Sequence, residues 1–550
     1  MTAAPDHSPL RDKDLPMQPD LSLVDPLEYN LATRTNAGDV IIRSAAIFPD
    51  RVAIVDGDRE VTYRELAETV DRLGHALLGL DLPAGSPVAL TMMNSWRLLA
   101  TYYACARAGL VCMPLNFLLA GEDQAWILQD ATPRALVTDA AFRPLHEQVL
   151  PGVTSVEHVI VTDEESPQPV AGRSTHHWQS LVDRAPATPL EVLVDDRDTV
   201  QCLYTSGTTS RPKGVLTSHT ALVTSLLSNA LVTRQSWGRD SPVMLVVLPM
   251  FHVTALNTVT MPVLMMGGTA VLAGMAFDPA RSLDLMEQRR VTHMMMLPLM
   301  HRACLAEQSA RPRDLSSVTT AIYAMAPMPA DLLAAVDEMY PNADVILGSG
   351  QTEVVPTTTM QWPEHRHSAP DSWGPQSVSV LTQIMDPMGR LRDAGDTGEI
   401  VYRAPNVCSG YWNNPEANQQ AFAHGWFHSG DVGHLDEEGV VWFTDRLKDV
   451  IKSGGENVSS VAVEAVLLGA PGVAECTVIG VPHEHWGEAV CAVVVADGTV
   501  AVDELRAGVI AHARAHLAGF QVPKEVRVIE ELPKTATGKI QKHQVRGLVR

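Results

Sequence analysis

The chain has 550 residues, 46% of them hydrophobic and 19% charged, a mixture that supports a buried core and excludes a wholly disordered or fibrous molecule. At roughly 150 residues per domain it holds several domains, or one large domain and a smaller one. Lys and Arg number 41 against 64 Asp and Glu, a formal charge of −23, which puts nucleic acid and anionic lipid surfaces at a disadvantage as partners.

Residues 1–38 are polar and proline-containing and read as a flexible N-terminal tail. The first twenty have no apolar core of the kind a secretion signal carries. DVIIRSAAIFPD reads as a helix stopped before Pro49. RVAIVDGDREVTYRELAETVDRLGHALLGLDL predicts a hairpin with an Asp-Gly turn and then an amphipathic helix, with Leu66, Val70, Leu73 and Leu77 on one face. Short apolar strands then alternate with helical patterns: SPVALTMM, LVCMPLN, RALVTD, HVIVTD, MLVVLPM, GTAVLAG, HMMMLPL and DVILGSG. That alternation predicts an α/β fold of parallel sheets covered by helices. The most apolar stretch, VMLVVLPM on to VLMMGGTAVLAGM, is interrupted by Pro249, His252, Asn257 and Pro262, so it reads as buried strands and a helix and not as a membrane span. After Gly374 strands and turns dominate, which suits a small antiparallel or barrel-like subdomain. A helix in DGTVAVDELRAGVIAHARAHL and the segment VPKEVRVIEELP follow near the C-terminus. The 7 cysteines are scattered, odd in number and without CxxC spacing, which predicts free thiols in a reducing, cytoplasmic setting.

Chemistry concentrates first in Tyr204-Thr205-Ser206-Gly207-Thr208-Thr209-Ser210-Arg211-Pro212-Lys213-Gly214, directly after the strand pattern TVQCLY. Hydroxyls, unhindered backbone N–H groups and one ammonium can wrap a polyphosphate and neutralise a leaving pyrophosphate. The spacing is not that of a Walker A loop. The loop resembles the phosphate loop of the adenylate-forming enzymes, the superfamily of acyl-CoA synthetases, adenylation domains and firefly luciferase, whose pattern is YTSGTTGxPKGV. Ser210 stands where the family has Gly.

Further family motifs follow in the expected order. Gly348-Ser349-Gly350-Gln351-Thr352-Glu353 matches YGxTE, with Ser349 in place of the aromatic residue that packs on adenine. Ser429-Gly430-Asp431 matches [TS]GD, and Asp445-Arg446 begins a segment that runs through Lys448 to Lys452-Ser453-Gly454-Gly455. Pro533-Lys534-Thr535-Ala536-Thr537-Gly538-Lys539 matches PKTxxGK. Pro249 to His252 matches P-x-F/Y-H, and Ala324-Met325-Ala326-Pro327 aligns with GGAP. Gly398-Glu399 through Tyr411-Trp412 matches a segment read as structural. The family's YPAEVE appears as Ser459-Ser460-Val461-Ala462-Val463-Glu464, without the proline and one glutamate.

The resemblance implies a large N-terminal domain (39–447) of two helix-covered sheets plus a distorted β-barrel, and a small mobile α+β C-terminal domain (448–550) hinged at Lys448. It assigns Thr205, Ser206, Gly207, Thr208, Thr209, Lys213, Ser349, Gln351 and Thr352 to ATP, and Glu353 and Thr208 to Mg²⁺. Asp431 and Arg446 fall to the ribose, and Lys539, with Glu353, Thr205 and Lys213, to catalysis. Lys452, Ser453, Gly454 and Gly455 would line a CoA tunnel. His252, Val253, Thr254, Asn257, Met325, Gln351, Val354, Val355 and Trp373 would line the acyl pocket. With no charged side chain among those nine, a mostly apolar acid is expected: fatty, aryl or polycyclic. The implied reaction joins acid and ATP to acyl-AMP and pyrophosphate, then transfers the acyl group to CoA. Transfer to a carrier protein or an amine, or adenylation as the main half-reaction, stays open, as does a homodimer. A non-catalytic nucleotide-binding relative is disfavoured by Lys539, Glu353 and Asp431 together.

Overall fold

Val52–Asp56 and Arg59–Thr62 pair as the Asp-Gly hairpin, with Gly57 at φ 60° in the turn, a left-handed conformation that glycine adopts freely. The helix Tyr63–Leu78 starts at Thr62, whose hydroxyl accepts the Glu65 N–H, and its stripe of Leu66, Val70, Leu73 and Leu77 is fully buried. This computed structural model of the protein describes residues 20–205, 211–274, 276–324, 328–534 and 540–549.

Two eight-stranded sheets form the large part of the molecule. The first runs from Thr357–Gln361 through Asp344–Gly350, Thr320–Ala324, His293–Met296, Val243–Val246, Thr269–Leu272 and Val52–Asp56 to Arg59–Thr62. It is parallel except at its two edges. The second runs from Gly410–Tyr411 through Lys213–Ser218, Thr199–Thr205, Val111–Pro114, Pro87–Thr91, Ala135–Thr138 and His158–Val161 to Ser174–His177. Its first two pairings are antiparallel and the rest parallel. One apolar cluster joins both sheets and the helices Tyr63–Leu78 and Trp96–Arg107. The strands read as continuous apolar runs because both their faces are covered. The apolar stretch after Pro249 forms a π-helical segment, Thr254–Thr260, followed by the helix Met261–Met265. No helix among the described residues is long and apolar enough to cross a membrane.

A five-stranded antiparallel sheet, Gly374–Pro375, Val440–Arg446, Phe427–Leu435, Gly398–Arg403 and Leu381–Met385, sits where the barrel-like unit was expected. A separate sheet begins at Ile451–Ser453, only five residues after that one ends at Arg446. It holds the long hairpin Val473–His483 and Gly487–Ala496 and the parallel strand Glu525–Ile529.

Order begins ahead of Asp39, within the stretch expected to be a loose tail. Pro26–Thr33 is a helix capped by the Asp25 carboxylate. None of its side chains is buried, so no apolar stripe announces it. It is held by Asn30, which exchanges hydrogen bonds with the Val194 backbone at 2.8 and 3.2 Å. Behind it Arg34 forms a bidentate pair with Asp39 at 2.9 and 3.0 Å. Arg107 also donates to Asp39, and it reaches Asp71 at 2.9 Å. All seven cysteines are buried free thiols, and burial pushes Cys304, Cys408 and Cys491 up to about 12.

Candidate active site

The Ser/Thr/Gly-rich loop expected to hold phosphates connects the two strands of a hairpin. Thr199–Thr205 and Lys213–Ser218 pair antiparallel down to Thr205 opposite Lys213, so both loop ends are fixed by sheet hydrogen bonds. The crown lies outside the described residues, and with it Ser206, Gly207, Thr208 and Thr209. The Tyr204 ring crosses the base of the loop. A Cβ on Gly214 would lie 2.9 Å from that ring, so glycine is required there. The Tyr204 hydroxyl donates to Asp130 at 2.6 Å. The Asp130 carbonyl in turn accepts from Trp412 Nε1 at 2.9 Å and Asn413 Nδ2 at 3.2 Å.

Lys213 emerges from this hairpin with its Nζ 4.9 Å from the centre of the Tyr411 ring. The Tyr411 hydroxyl donates to Glu353 Oε1 at 2.9 Å. Burial first, and then the Glu353 charge, push the Tyr411 hydroxyl pKa far up, so it stays a donor. Lysine, tyrosine and glutamate thus come from three distant motifs onto one line.

Glu353 lies on a short 3₁₀ turn, Thr352–Val354, flanked by Gln351 and by Val355. Val355 sits at φ 56°, a strained conformation for a β-branched residue, and its carbonyl receives the Ser225 hydroxyl. Gln351 faces the other way and donates to Asp431 Oδ2 at 3.4 Å. Asp431 stands opposite Arg446 in the antiparallel sheet and accepts from its Nε at 2.9 Å. The Asp431 side chain is 3% exposed and that of Arg446 is 39% exposed, so the carboxylate is presented from inside the wall. Residues 351–353 therefore join the Lys213–Tyr411 side of the site to the Asp431–Arg446 side.

The turn is closed by the Gln351 N–H donating to the Pro356 carbonyl at 2.9 Å. A Cβ on Gly350 would stand 1.8 Å from that carbonyl oxygen. Gly350→Ala is expected to lower the adenylation rate by at least about 100-fold, because displacements near 1 Å cost that much in positioned chemistry. Gly348→Ala is the control, since its nearest neighbour is at 3.5 Å. Acid-dependent pyrophosphate release measures both, and equal activities would remove this role from Gly350.

Lys448 lies between the two sheet systems. Its ammonium pKa is lowered, first by partial burial and then by Arg446, Arg546 and Lys213, against Asp449. Across this connection Asp445 accepts the Ser460 N–H at 2.5 Å, and Ser459 donates to the Thr444 carbonyl at 2.7 Å. Lys452 and Ser453 lead into the tight turn Gly454-Gly455, at φ 62° and 89°. Gly454 donates to the Trp486 carbonyl at 2.8 Å. Lys539 lies outside the described residues.

Three residues expected in the acyl pocket have other commitments. The Asn257 amide oxygen accepts from Gln201 Nε2 at 3.0 Å, and Gln201 Oε1 accepts from Tyr102 at 2.9 Å, inside the core. Val354 packs with Val215, Ile384 and Ile400. Trp373 stacks on Phe443 at 4.3 Å. Val253, Thr254 and Val355 are buried, His252 and Ser349 are half-buried, and Met325 lies outside the described residues. Sequence reasoning missed Asp130, which belongs to no short motif, and passed over Tyr411, whose Gly-Tyr-Trp segment was quoted but read as structural.

Sheets and site together have the make-up of a nucleotide-dependent enzyme: Lys213, at the described end of a Ser/Thr/Gly loop, meets Glu353 through Tyr411, and Gln351 beside Glu353 meets the buried Asp431 carboxylate. The chain belongs to the AMP-binding enzyme family, whose model matches residues 41–412, while the family's C-terminal domain model matches residues 462–539. A feruloyl-CoA synthase from an Amycolatopsis species is 37% identical over 92% of this chain and 97% of its own length. An indoleacetate–CoA ligase from Aromatoleum aromaticum is 34% identical over 92% and 97%. The crystal structure of the anthranilate CoA ligase AuaEII with anthranoyl-AMP superposes with a TM-score of 0.83 at 27% identity, covering 93% of this chain and 97% of that one. The fold is that of the adenylate-forming enzymes, and the chain is an AMP-forming acid–thiol ligase: it activates a carboxylic acid as acyl-AMP and transfers the acyl group to CoA.

Proposed function

We propose that the acid is an aryl or aryl-alkyl carboxylic acid. The reading rests on relatives named for feruloyl, indoleacetate and anthranilate groups. It also rests on a set of acyl-pocket candidates without a charged side chain. A second carboxylate or an ammonium on the substrate would stay unpaired there, at a cost of several kcal/mol.

The residues divide the work as follows. Lys213 and the loop ahead of it hold the β- and γ-phosphates, and the Asp431 carboxylate accepts from the two ribose hydroxyls with Arg446 beside it. Thr352 and Lys539 meet the α-phosphate, where the substrate carboxylate displaces pyrophosphate. Fixed positive charge there stabilises the developing transition state. Glu353 supplies one hard oxygen to Mg²⁺. The donor fits: Glu353 is a hard carboxylate whose Oε1 is held by the Tyr411 hydroxyl, and Mg²⁺ beside ATP takes most of its ligands from phosphate and water. When bound, the ion neutralises charge on the phosphates. Lys448 serves as the hinge for exchanging Lys539 against the Lys452–Gly455 segment, which then receives the pantetheine arm; CoA thiolate displaces AMP.

The observation that carries this division of roles is the chain of contacts from Lys213 through Tyr411 to Glu353, and from Gln351, two residues before Glu353, to Asp431. A panel of acids, with pyrophosphate and thioester measured separately, tests the substrate class. Aryl acids should exceed a small dicarboxylate or an amino acid by at least about tenfold in kcat/KM. The opposite preference would refute the substrate class. A carrier-protein or amine acceptor is favoured by one observation only, the serines that replace the family's proline segment and bind Asp445 and Thr444. AMP release that is independent of CoA but dependent on an amine would establish it.

A further inference from the structure

Tyr411 touches two groups that the proposed mechanism uses, and it is itself held with little freedom. Its backbone pairs with Val215 in the strand that begins at Lys213. Its N–H donates to Asn418 Oδ1 at 2.7 Å, and its carbonyl accepts from Asn418 Nδ2 at 2.9 Å. The preceding Gly410 lies at φ 137°, where an added Cβ would meet Asn418 Oδ1 at 2.8 Å. Strand pairing, a two-way amide clamp and an obligatory glycine thus fix the direction of the ring. From that fixed base the hydroxyl reaches Glu353 Oε1 at 2.9 Å, and the ring lies 4.9 Å from the Lys213 ammonium.

We infer that Tyr411 is a positioning residue for the metal–phosphate half of the site: its hydroxyl sets the rotation of the Glu353 carboxylate, and its ring sets the place of the Lys213 ammonium. A flexible lysine at the end of a glycine-rich loop, and a carboxylate on a one-turn helix, each have several rotamers to lose before they meet a Mg·ATP phosphate. One rigid aromatic residue removes that freedom from both and registers them against each other. The ring face attracts the ammonium, while the hydroxyl spends its proton on one carboxylate oxygen and leaves the other to face the ion. The inference rests on the assignment of Glu353 and Lys213 to Mg·ATP given above.

Two substitutions separate the two roles. Tyr411→Phe keeps the ring and removes the hydroxyl, and Tyr411→Leu removes both. Calorimetry on the full chain would use Mg·ATP and, separately, AMP as probes, because AMP lacks the phosphates that Lys213 and the metal hold. Tyr411→Phe is expected to weaken Mg·ATP and to raise the Mg²⁺ concentration for half-maximal pyrophosphate release, each by about tenfold. AMP affinity, KM for the acid and the thermal midpoint should stay unchanged. Tyr411→Leu should weaken Mg·ATP further. Unchanged Mg·ATP binding in Tyr411→Phe, or an equal loss for AMP and Mg·ATP, would overturn the inference. If instead the wild-type chain gave no acid-dependent pyrophosphate, the functional assignment would fall, and not the role of the tyrosine alone.

Discussion

Asp431→Ala is expected to lower kcat/KM for ATP by about two to four orders of magnitude. A hydrogen bond to a charged group contributes about 1.5–3 kcal/mol, and the ribose assignment gives this carboxylate two of them. The change also leaves the Arg446 Nε without its partner at 2.9 Å and the Gln351 amide without its acceptor at 3.4 Å. The turn that carries Glu353 would then lose this hydrogen bond to the antiparallel sheet and keep the packing of Val354 against Ile384 and Ile400. Steady-state kinetics with ATP varied, and again with the acid varied, should show the loss against ATP. Asp431→Asn keeps the shape but not the charge and should fall between. A kcat/KM within threefold of wild type for Asp431→Ala would remove the nucleotide from this position.

Asp39→Ala should be the most damaging change outside the site. The Asp39 carboxylate, 14% exposed, accepts from both Arg34 and Arg107, whose side chains are 2% and 6% exposed. Removing it leaves the buried Arg34 guanidinium with the Val192 carbonyl and no carboxylate partner among the described residues, and Arg107 with Asp71 at 2.9 Å and the Leu190 carbonyl at 2.7 Å. Stripping one partner from a buried charge cluster costs about 3–5 kcal/mol, whereas an exposed pair contributes at most about 1 kcal/mol. Urea unfolding followed by tryptophan fluorescence should show a midpoint shift of that size. The comparison is Arg64→Ala, whose pair with Asp50 is 55% and 85% exposed and whose loss should be barely measurable. Similar midpoints for the two variants would contradict the buried-cluster account. His219 reinforces this corner: burial first, then Arg34, pushes its pKa down to about 4, and the neutral ring accepts the Ala37 N–H at 3.1 Å. Below that pH the ring protonates and the acceptor is lost, so acid should loosen the same docking.

What could be read in the sequence was what periodicity and local turn chemistry encode. Leu66, Val70, Leu73 and Leu77 announced a helix, and the apolar runs announced strands covered on both faces. The N-terminal helix gave no such signal, because it docks through Asn30 and not through an apolar stripe. The π-helical segment at Thr254–Thr260 was equally hidden: within it Asn257 accepts from Gln201, and the pairing of two amides far apart in the chain leaves no local trace. Motifs located Glu353, Asp431 and Arg446 one at a time. Their meeting depends on which strands lie side by side, and nothing in Gly410-Tyr411 says that it will border Lys213–Ser218. For that reason Tyr411 passed as scaffolding, and Asp130, which secures the foot of the loop, went unnoticed.

The burial of every cysteine has a consequence for an enzyme that works with thioesters. Acyl-adenylates acylate any accessible thiolate, and oxidised coenzyme exchanges with one. A thiol pushed to about 12 is ionised to only about one part in 10⁵ at neutral pH, and here it is also out of reach. Burial thus disfavours self-acylation and mixed disulfides with the coenzyme on the folded chain, and leaves the sulfur chemistry to the thiol that the substrate brings.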